Sequence, residues 1–375
     1  MATTTYGVKL VSSKEDVRNF LEFPYSLYQN SKEWVPHLRL LIKDLIDIKK
    51  NPFYKQADTA MFLAEKDGKP AGRIMSIVNN AYNQHAGEKA GFFGFFECID
   101  NQGMADLLFK IAGDWLNERG CEVIYGPMSP NMMGEIGVLV DGFEHSPMFL
   151  MPYNDPYYDR LITSAGFQKH VDLLAYYIHK DVTELARAEK AETLVQKRYP
   201  GLTIRKINMR KWSDEVVIIR EIFNKAWARN WGFAPMSPDE FEFLVGDLRY
   251  IVDNDFALVA EDKGRPIAFS VGLPDINRIL IKIGNGKLFP TGWYKLLTEL
   301  KKIKTLRLAL MGVLPEYQGK GVDALMNLHT IRNGLAKGYH EAEFSWLLET
   351  NTSVINLAER FGAVPTKRYR VYKNQ

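Results

Sequence analysis

A glycine-rich turn separates two differently patterned parts of residues 305–337, TLRLALMGVLPEYQGKGVDALMNLHTIRNGLAK. The apolar stretch before the turn predicts a β-strand, which Pro315 ends because proline cannot donate a hydrogen bond to a sheet. The apolar residues after the turn recur with helical spacing and predict a helix that ends near Gly338. A glycine turn that leads into a helix directs unpaired N–H groups and the positive end of the helix dipole to one point. The segment therefore predicts a binding site for phosphate groups.

The spacing of this turn excludes two other phosphate-binding motifs. The dinucleotide fingerprint G-x-G-x-x-G needs a glycine where Ala324 stands, and the P-loop needs a Gly-Lys-Ser/Thr sequence that the turn lacks. The pattern Q/R-x-x-G-x-G/A fits instead, with Gln318 and Gly321 at its first defined positions and Asp323 at the last. With the preceding Leu-Pro-Glu-Tyr, the turn resembles the pyrophosphate loop of the GNAT family of acyl-CoA-dependent N-acyltransferases. Asp323 departs from the family's small residue, and its carboxylate repels a pyrophosphate unless it faces away.

A second segment adds to this resemblance. Residues 351–363 resemble the family's short helix that ends in a glycine before the last strands. The family's asparagine falls on Asn351, whereas its frequent tyrosine, which protonates the departing thiolate, falls on Ala358. The resemblance covers about residues 202–375 and implies a co-substrate, acetyl-CoA or another acyl-CoA, bound by the C-terminal half. The residues that it implies for CoA binding are Met311, Val313, Gln318, Gly319, Lys320, Gly321, Val322, Asp323 and Asn351.

The composition indicates a soluble globular protein that is large enough for two domains. Its 375 residues are 46% hydrophobic and 25% charged, and a net charge of +3 is too small for this size to indicate nucleic-acid binding. The cysteines, Cys98 and Cys121, lie in apolar stretches and provide neither a metal cluster nor a disulfide framework. The N-terminus lacks a secretion-signal pattern and no apolar run is long enough to span a membrane, so we expect a cytoplasmic protein.

The two halves of the chain repeat one order of elements. Residues 59–78 and 256–271 both follow the order strand, acidic-basic-glycine turn, proline and strand, which predicts a β-hairpin in each half. After the third long strand, a helical stretch runs between two glycines that are 17 positions apart in each half, at residues 103 and 120 and at residues 321 and 338. Strand order, turn chemistry and helix spacing thus recur together, which indicates two copies of one unit.

We therefore predict an α/β fold of two tandem GNAT-like units, each with a mixed, mostly antiparallel sheet flanked by helices. The predicted domains are residues 1–180 and 181–375. Aligned on its glycine, the first copy contains Asp100-x-x-Gly103-x-Ala105 and lacks a counterpart of Gly319. An aspartate at the start of a pyrophosphate loop is unfavourable, so we expect CoA to bind only the C-terminal domain.

A long loop, residues 126–154, follows the strand that ends near Tyr125. Its five methionines and other apolar residues need burial, which argues against disorder. A mostly apolar segment with a few polar groups suits a ligand pocket, but it suits packing between the two halves equally well. Glu135 and His145 are the ionisable residues of this loop that we consider as candidate catalytic groups.

A second insertion, residues 276–305, contains a basic amphipathic pattern. One predicted helical face carries five apolar residues, and lysines occupy the rest of the surface; the apolar residues are Trp293, Leu296, Leu297, Leu300 and Ile303. Such a helix suits peripheral contact with an anionic membrane through residues 291–304. The commoner role of this pattern is a core-facing stripe with a solvated lysine side.

These observations predict an acyl-CoA-dependent N-acyltransferase, in particular an N-acetyltransferase, whose amine acceptor binds in the cleft between the two halves. A narrower alternative is long-chain acyl transfer to a lipid amine. The alternative of another class is an inactive acyl-CoA-binding or interaction protein, which the departures at Asp323 and Ala358 motivate.

The catalytic candidates follow from the chemistry of the acceptor. Most primary amines are protonated at neutral pH, whereas a thiolate leaves readily, so a base is needed more than an acid. Glu349 is the first candidate base, because it ends a predicted strand close to Asn351, although it could equally cap the following helix. Glu135 and His145 are the reserve candidates, and Tyr369 is a candidate substitute acid.

Overall fold

The computed structural model describes residues 6–374, and the described chain divides into two compact units. Unit 1 comprises residues 6–173, 280–293 and 367–374, and unit 2 comprises residues 174–279 and 294–366. Each unit combines helices with predominantly antiparallel strands.

Unit 1 begins with strand β1 and helix α1, and its first stretch of chain ends after helix α5. The elements are β1 (Tyr6–Leu10), α1 (Lys14–Leu27), α2 (Arg39–Ile46), β2 (Ala57–Lys66), β3 (Lys69–Asn79), α3 (Asn80–Ala86), β4 (Ala90–Cys98), α4 (Gln102–Asn117), β5 (Val123–Gly126), β6 (Met128–Ser129), β7 (Glu135–Ile136), β8 (Val138–Asp141) and α5 (Tyr158–Ser164).

The elements from strand β9 onward lead into unit 2, and β9, α9, α10 and β15 each have residues in both units. They are β9 (Phe167–His179), α6 (Ala186–Arg198), β10 (Leu202–Lys206), α7 (Trp212–Ala226), α8 (Pro238–Gly246), β11 (Ala257–Asp262), β12 (Arg265–Pro274), α9 (Asn277–Ile283), α10 (Gly292–Glu299), β13 (Thr305–Val313), α11 (Val322–Ala336), β14 (Glu341–Leu348), α12 (Thr352–Arg360) and β15 (Val364–Asn374).

The strands of the two units have the same pairing pattern. In unit 1, β1, β2, β3 and β4 pair in that order as antiparallel neighbours, and β4 pairs with β5 in parallel. In unit 2, β10, β11, β12 and β13 pair as antiparallel neighbours, and β13 pairs with β14 in parallel. The predicted α/β fold of two similar, mostly antiparallel units is therefore confirmed.

The predicted hairpin turns form for a local reason. A two-residue turn of the type that matches strand twist requires positive φ at both central residues, which favours Asn, Asp and Gly. Asp67 and Gly68 have φ values of 52° and 75°, and Lys263 and Gly264 have φ values of 52° and 80°. The glycine in each turn adopts this conformation without a steric penalty, so the turn sets the register of both hairpins.

One face of helix α4 forms part of the hydrophobic core of unit 1. Met104, Leu108, Ala112 and Leu116 recur at helical spacing on one face, and all of them are buried. Leu108 packs so closely on strand β3 that a Cβ atom at Gly72 would lie 2.7 Å from its Cδ1 atom. Each fully buried leucine contributes about 1.5–3 kcal/mol relative to exposure, so this face holds the helix against the sheet.

The observed division of the chain differs from the predicted domains, residues 1–180 and 181–375, because residues 367–374 belong to unit 1. In strand β15, Tyr372 pairs with Gly126 of β5 and Arg370 pairs with Val138 of β8. Residues 280–293 also belong to unit 1, where the Arg39 N–H donates to the Gly286 carbonyl over 3.0 Å. The apolar alternation of a strand identifies its buried face but does not specify which sheet it joins.

Both cysteines are buried and free. Burial raises the pKa of the Cys98 thiol to about 12, so this thiol is neutral and acts as apolar core. Among the described helices, none is long and apolar enough to cross a membrane.

Candidate functional site

Strands β13 and β14 of unit 2 separate at a bulge. The described parallel pairs run from Thr305↔Glu341 to Leu308↔Phe344, whereas the strands continue to Val313 and Leu348. On its other side, β13 carries one extra residue, because Val271 pairs with Leu310 and Gly272 pairs with Leu308. A bulge bends the strand at the extra residue. Residues 309–313 therefore form a strand edge that diverges from β14.

Two tryptophans lie at this opening. The Trp227 indole N–H donates to the Met311 carbonyl over 2.8 Å, and the rings of Trp227 and Trp346 meet at 5.8 Å between centroids. Trp346 belongs to strand β14, so one aromatic pair lies between the diverging strands. A ligand at the predicted CoA-binding residue Met311 would meet these rings first.

The glycine turn has the backbone geometry that the sequence predicts for an anion site. Gly319 and Gly321 have φ values of 65° and 85°, which L-residues with side chains rarely adopt. Gly321 precedes the first residue of helix α11, and no side chain caps this helix. In the part of the chain that the structure describes, the amides of residues 319–324 donate no hydrogen bond, and the first helical bond runs from Leu325 N to Gly321 O over 3.0 Å. These unsatisfied donors suit phosphate oxygens.

The side chains around the turn stabilise its shape. The Gln318 side-chain amide donates to the Val313 carbonyl over 3.0 Å, which ties the end of β13 to the turn. The Lys320 ammonium contacts the Glu316 carbonyl and lies 5.8 Å from the centroid of the Tyr317 ring. Gln318 therefore positions the turn, and Lys320 is a half-buried cation beside the amides.

Helix α6 covers one side of the turn. A Cβ atom at Gly321 would lie 2.8 Å from Cγ2 of Val195, so only glycine fits there without displacing that side chain. Asp323 is half-buried on the first turn of α11. This position is electrostatically favourable, because the positive end of the helix dipole stabilises a carboxylate near the N-terminus.

The residues after β14 have separate positions and roles. Glu349 directly follows the strand and is half-buried. Asn351 is the N-cap of helix α12, and its side-chain oxygen accepts hydrogen bonds from Val354 N and Ser353 Oγ over 3.4 and 3.0 Å. Ala358, at the position of the family's tyrosine, is buried among apolar residues of unit 2.

The corresponding opening in unit 1 is filled by protein. Strand β4 pairs with β5 only as far as Phe92↔Tyr125 in the described register, but the gap beyond this pair contains strand β6. A Cβ atom at Gly94 would lie 2.0 Å from the Met128 carbonyl, and Phe95 N donates to Ser129 Oγ over 2.8 Å. The strand edge that is open in unit 2 is thus hydrogen-bonded internally in unit 1.

The helix that follows β4 also differs from its counterpart. The Asn101 side chain accepts a hydrogen bond from Met104 N over 2.9 Å and so caps helix α4. Asp100, which stands where the motif has glutamine, forms an ion pair with Arg160. The start of helix α4 in unit 1 is therefore capped by a side chain, whereas the start of helix α11 in unit 2 has no side-chain cap.

The long loop of unit 1 is packed rather than open. Four of its methionines, Met128, Met132, Met148 and Met151, are buried. The buried Asn154 amide accepts from Leu139 N over 2.6 Å and donates to Leu139 O over 3.0 Å, which ties the loop to strand β8. These contacts pack the loop within unit 1, and none of them tests the predicted packing between the two halves.

The remaining catalytic candidates lie in unit 1. Glu135 Oε1 is 3.2 Å from His37 Nε2, and both side chains are partly exposed. His145 is half-exposed on a turn, with Nε2 3.4 Å from Glu144 Oε1. Tyr369 is completely buried in strand β15.

A buried polar cluster in unit 1 was not predicted. Glu97 of strand β4 accepts hydrogen bonds from the hydroxyls of Tyr28 and Tyr158 over 2.6 and 2.5 Å, and Arg73 Nη2 lies 3.7 Å from Glu97 Oε1. Burial raises the pKa of the Glu97 carboxyl, while Arg73 opposes the shift. A buried carboxyl with a raised pKa is a candidate for proton transfer, which makes Glu97 an additional acid–base candidate. The feature of the sequence that could have indicated this cluster is Glu97 itself, a lone carboxylate within the apolar run of residues 90–98.

Solved structures of similar fold span the whole chain. The GCN5-related glucosamine N-acetyltransferase region of a fungal multi-domain β-N-acetylglucosaminidase matches with a TM-score of 0.58 at 15% identity, over 100% of this chain and 38% of that one. A tandem GNAT protein from the clavulanic acid biosynthesis pathway matches with a TM-score of 0.57 at 10% identity, over 99% and 98% of the two chains. The fold is therefore that of a tandem GNAT protein.

Two curated relatives are similar in sequence over nearly their whole length. Protein YghO of Escherichia coli strain K12 is 37% identical over 374 residues, 98% of this chain and 95% of its own. The bacterial ceramide synthase of Caulobacter vibrioides is 32% identical over 372 residues, 97% of this chain and 96% of its own. No protein-family model matches the chain. The chain belongs to the family of these two relatives and is a GNAT-type acyltransferase.

Proposed function

We propose that the protein transfers a long-chain acyl group from acyl-CoA to the amino group of a lipid amine. The observation that carries the acyl-CoA part is the turn of residues 319–324 in unit 2, whose amides have no acceptor in the described chain and whose glycines keep the backbone open. The relative named as a ceramide synthase supports the lipid acceptor, because a ceramide is an N-acylated long-chain amino alcohol.

In this proposal, the diphosphate of CoA binds the amides of Gly319 to Asp323, and the thioester arm lies along residues 309–313 of strand β13. Two phosphates on unpaired amides at a helix N-terminus gain charge-assisted hydrogen bonds of about 1.5–3 kcal/mol each. Asn351 is assigned a contact to the co-substrate through its amide N–H₂ group, since its oxygen is used in capping helix α12.

The chemistry requires a neutral amine. Its nitrogen attacks the thioester carbonyl carbon, the new C–N bond forms, and the C–S bond breaks to release CoA thiolate. The nitrogen must lose a proton, and Glu349 is the proposed base because it lies at the end of the strand that borders the opening. CoA thiolate needs little assistance, as thiol pKa values lie near 8.5, which agrees with a buried alanine at position 358.

The test is thioester consumption by the purified protein. Acetyl-CoA and palmitoyl-CoA are each offered with a short amine, with a long-chain amino alcohol and with its hydroxyl analogue that lacks nitrogen. We expect release of free thiol only with the long-chain amine and palmitoyl-CoA, and mass spectrometry should detect the amide. Turnover with acetyl-CoA and the short amine alone would favour N-acetyl transfer instead. Release of thiol with the hydroxyl analogue would contradict N-acyl transfer.

A further inference from the structure

The segment of residues 282–304, here called the lysine-rich segment, exposes large apolar side chains. Phe289 is 75% exposed, Leu297 71%, Tyr294 59% and Trp293 46%. Trp293 and Leu297 are one turn apart on helix α10 and so lie on the same face. Large exposed aromatic and aliphatic side chains that cluster in one segment are unfavourable in water and mark a surface that another phase or molecule covers.

Only part of the predicted apolar stripe faces the core. Ile303 is buried, and Leu296 and Leu300 are half-buried, which agrees with a core-facing role. Trp293 and Leu297, which the sequence predicts on the same stripe, face solvent instead. The lysine-rich segment therefore packs on the protein through one set of apolar residues and presents a second set outward.

The charge of this segment is strongly positive. Residues 282–304 contain six lysines and one glutamate, a net charge of +5, whereas the whole chain has +3. The remaining residues therefore sum to a net negative charge, and the positive excess of the protein is concentrated here. Lys287, Lys301 and Lys302 are exposed, while Lys304 donates to the Lys337 carbonyl over 2.7 Å.

We propose that the lysine-rich segment docks the protein onto an anionic lipid bilayer. Tryptophan and tyrosine prefer the headgroup region, phenylalanine and leucine enter the acyl boundary, and lysines beside them are attracted to anionic lipids. Helix α10 has eight residues, too few to span a bilayer, so it lies in the plane of the interface.

The proposed membrane docking does not depend on the proposed reaction, but it is consistent with a lipid acceptor. An amine with a long acyl or alkyl chain resides in the bilayer, and a protein bound at the interface reaches it without extracting it into water. Docking is therefore tested on the protein alone, without acyl-CoA or amine, so that a failure of docking and a failure of catalysis are observed separately.

The experiment is vesicle co-sedimentation with two compositions, pure phosphatidylcholine and phosphatidylcholine mixed with phosphatidylglycerol. We expect the protein to bind the mixed vesicles, to bind the neutral ones at least about tenfold more weakly, and to be released by salt. The double variant Phe289→Ser/Leu297→Ser should partition about 10- to 100-fold more weakly, because both side chains lose their apolar contribution. The double variant Lys301→Gln/Lys302→Gln should partition about 10- to 30-fold more weakly.

Matched controls separate the segment from general effects. Ile48 is 65% exposed outside the segment, so Ile48→Ser should bind vesicles like the wild type. Lys69→Gln/Lys263→Gln removes the same charge from two exposed turn positions and should also leave binding unchanged. Equal binding to both vesicle types, wild-type binding by both segment variants, or equal losses in the controls would overturn the proposal. A segment variant that changes the oligomeric state, with no vesicle binding by the wild type, would assign the surface to a second copy.

Discussion

Replacement of Gly321 by valine tests the acyl-CoA site most directly. Gly321 has φ of 85°, and a non-glycine residue in this region carries a strain of about 1–3 kcal/mol. Its Cβ atom would also lie 2.8 Å from Val195 Cγ2, so either the turn or helix α6 must shift. The shift moves the amides of residues 319–324 away from a bound diphosphate. Each charge-assisted hydrogen bond lost, at about 1.5–3 kcal/mol, lowers the affinity for CoA by about 10- to 150-fold.

The assay is calorimetric titration with CoA, combined with thermal unfolding to confirm that the variant is folded. Gly68→Val is the matched control for strain, because Gly68 has φ of 75° in a hairpin turn of unit 1 and has no heavy atom within 4 Å of a Cβ position. We expect this control to lose stability and to keep its affinity for CoA. Gly103→Val, at the corresponding position of unit 1, should keep its affinity for CoA as well.

Binding of CoA by Gly321→Val as tightly as by the wild type would contradict the proposed CoA site. An equal loss of affinity in Gly68→Val would contradict it as well, because strain alone would then account for the effect. A loss confined to Gly103→Val would transfer the site to unit 1, where Asn101 caps the helix and strand β6 fills the opening.

Three further predictions concern single residues. Glu349→Gln should lower turnover by about 100-fold at neutral pH and keep the wild-type affinity for CoA. Its turnover should recover partly as rising pH supplies free amine. An unchanged pH profile would remove Glu349 from the mechanism. Asp172, whose side chain is 2% exposed, lies 2.9 Å from Arg370 Nε, so Asp172→Asn should lower the unfolding free energy at neutral pH by about 3 kcal/mol. Although burial opposes ionisation, hydrogen bonds from Arg370 and Lys169 hold the pKa of Asp172 below 3.8. The stabilisation by the Asp172 ion pairs is therefore present above pH 3.8 and is lost as the pH falls through the lowered pKa of Asp172. Denaturant titrations at several pH values should show that the variant loses less stability in acid than the wild type. Cys98 should react with iodoacetamide only in denaturant, and rapid labelling of the native protein in a mass spectrum would contradict its burial.

The parts of the structure that the sequence predicts are those with local causes. The hairpins at Asp67-Gly68 and Lys263-Gly264 follow from turn chemistry, and the open turn before α11 follows from glycines at positions 319 and 321. In each case, the residues that determine the conformation lie within a few positions of the feature itself. Fold class was predictable for the same reason, since both units repeat these local patterns in one order.

The parts that were not predicted depend on contacts between distant residues. Nothing in residues 364–374 indicates that the second part of this strand pairs with Gly126 and Val138. The cluster around Glu97 likewise requires Tyr28 and Tyr158, which are far apart in sequence. A hydrophobic period gives the buried face of an element, but the partner of that face is a property of the folded chain.

The pairing of strand β15 with β5 determines the order in which the protein can fold on the ribosome. Residues 367–374 leave the ribosome only after residues 174–366 of the chain have been synthesised. At about 5–20 residues per second, that intervening stretch of 193 residues takes about 10–40 s. During this interval the edge of β5 lacks its partner strand, and an unpaired edge is a site for wrong pairing between chains. In nascent chains the edge of β5 therefore stays unpaired with β15 until residues 367–374 have left the ribosome.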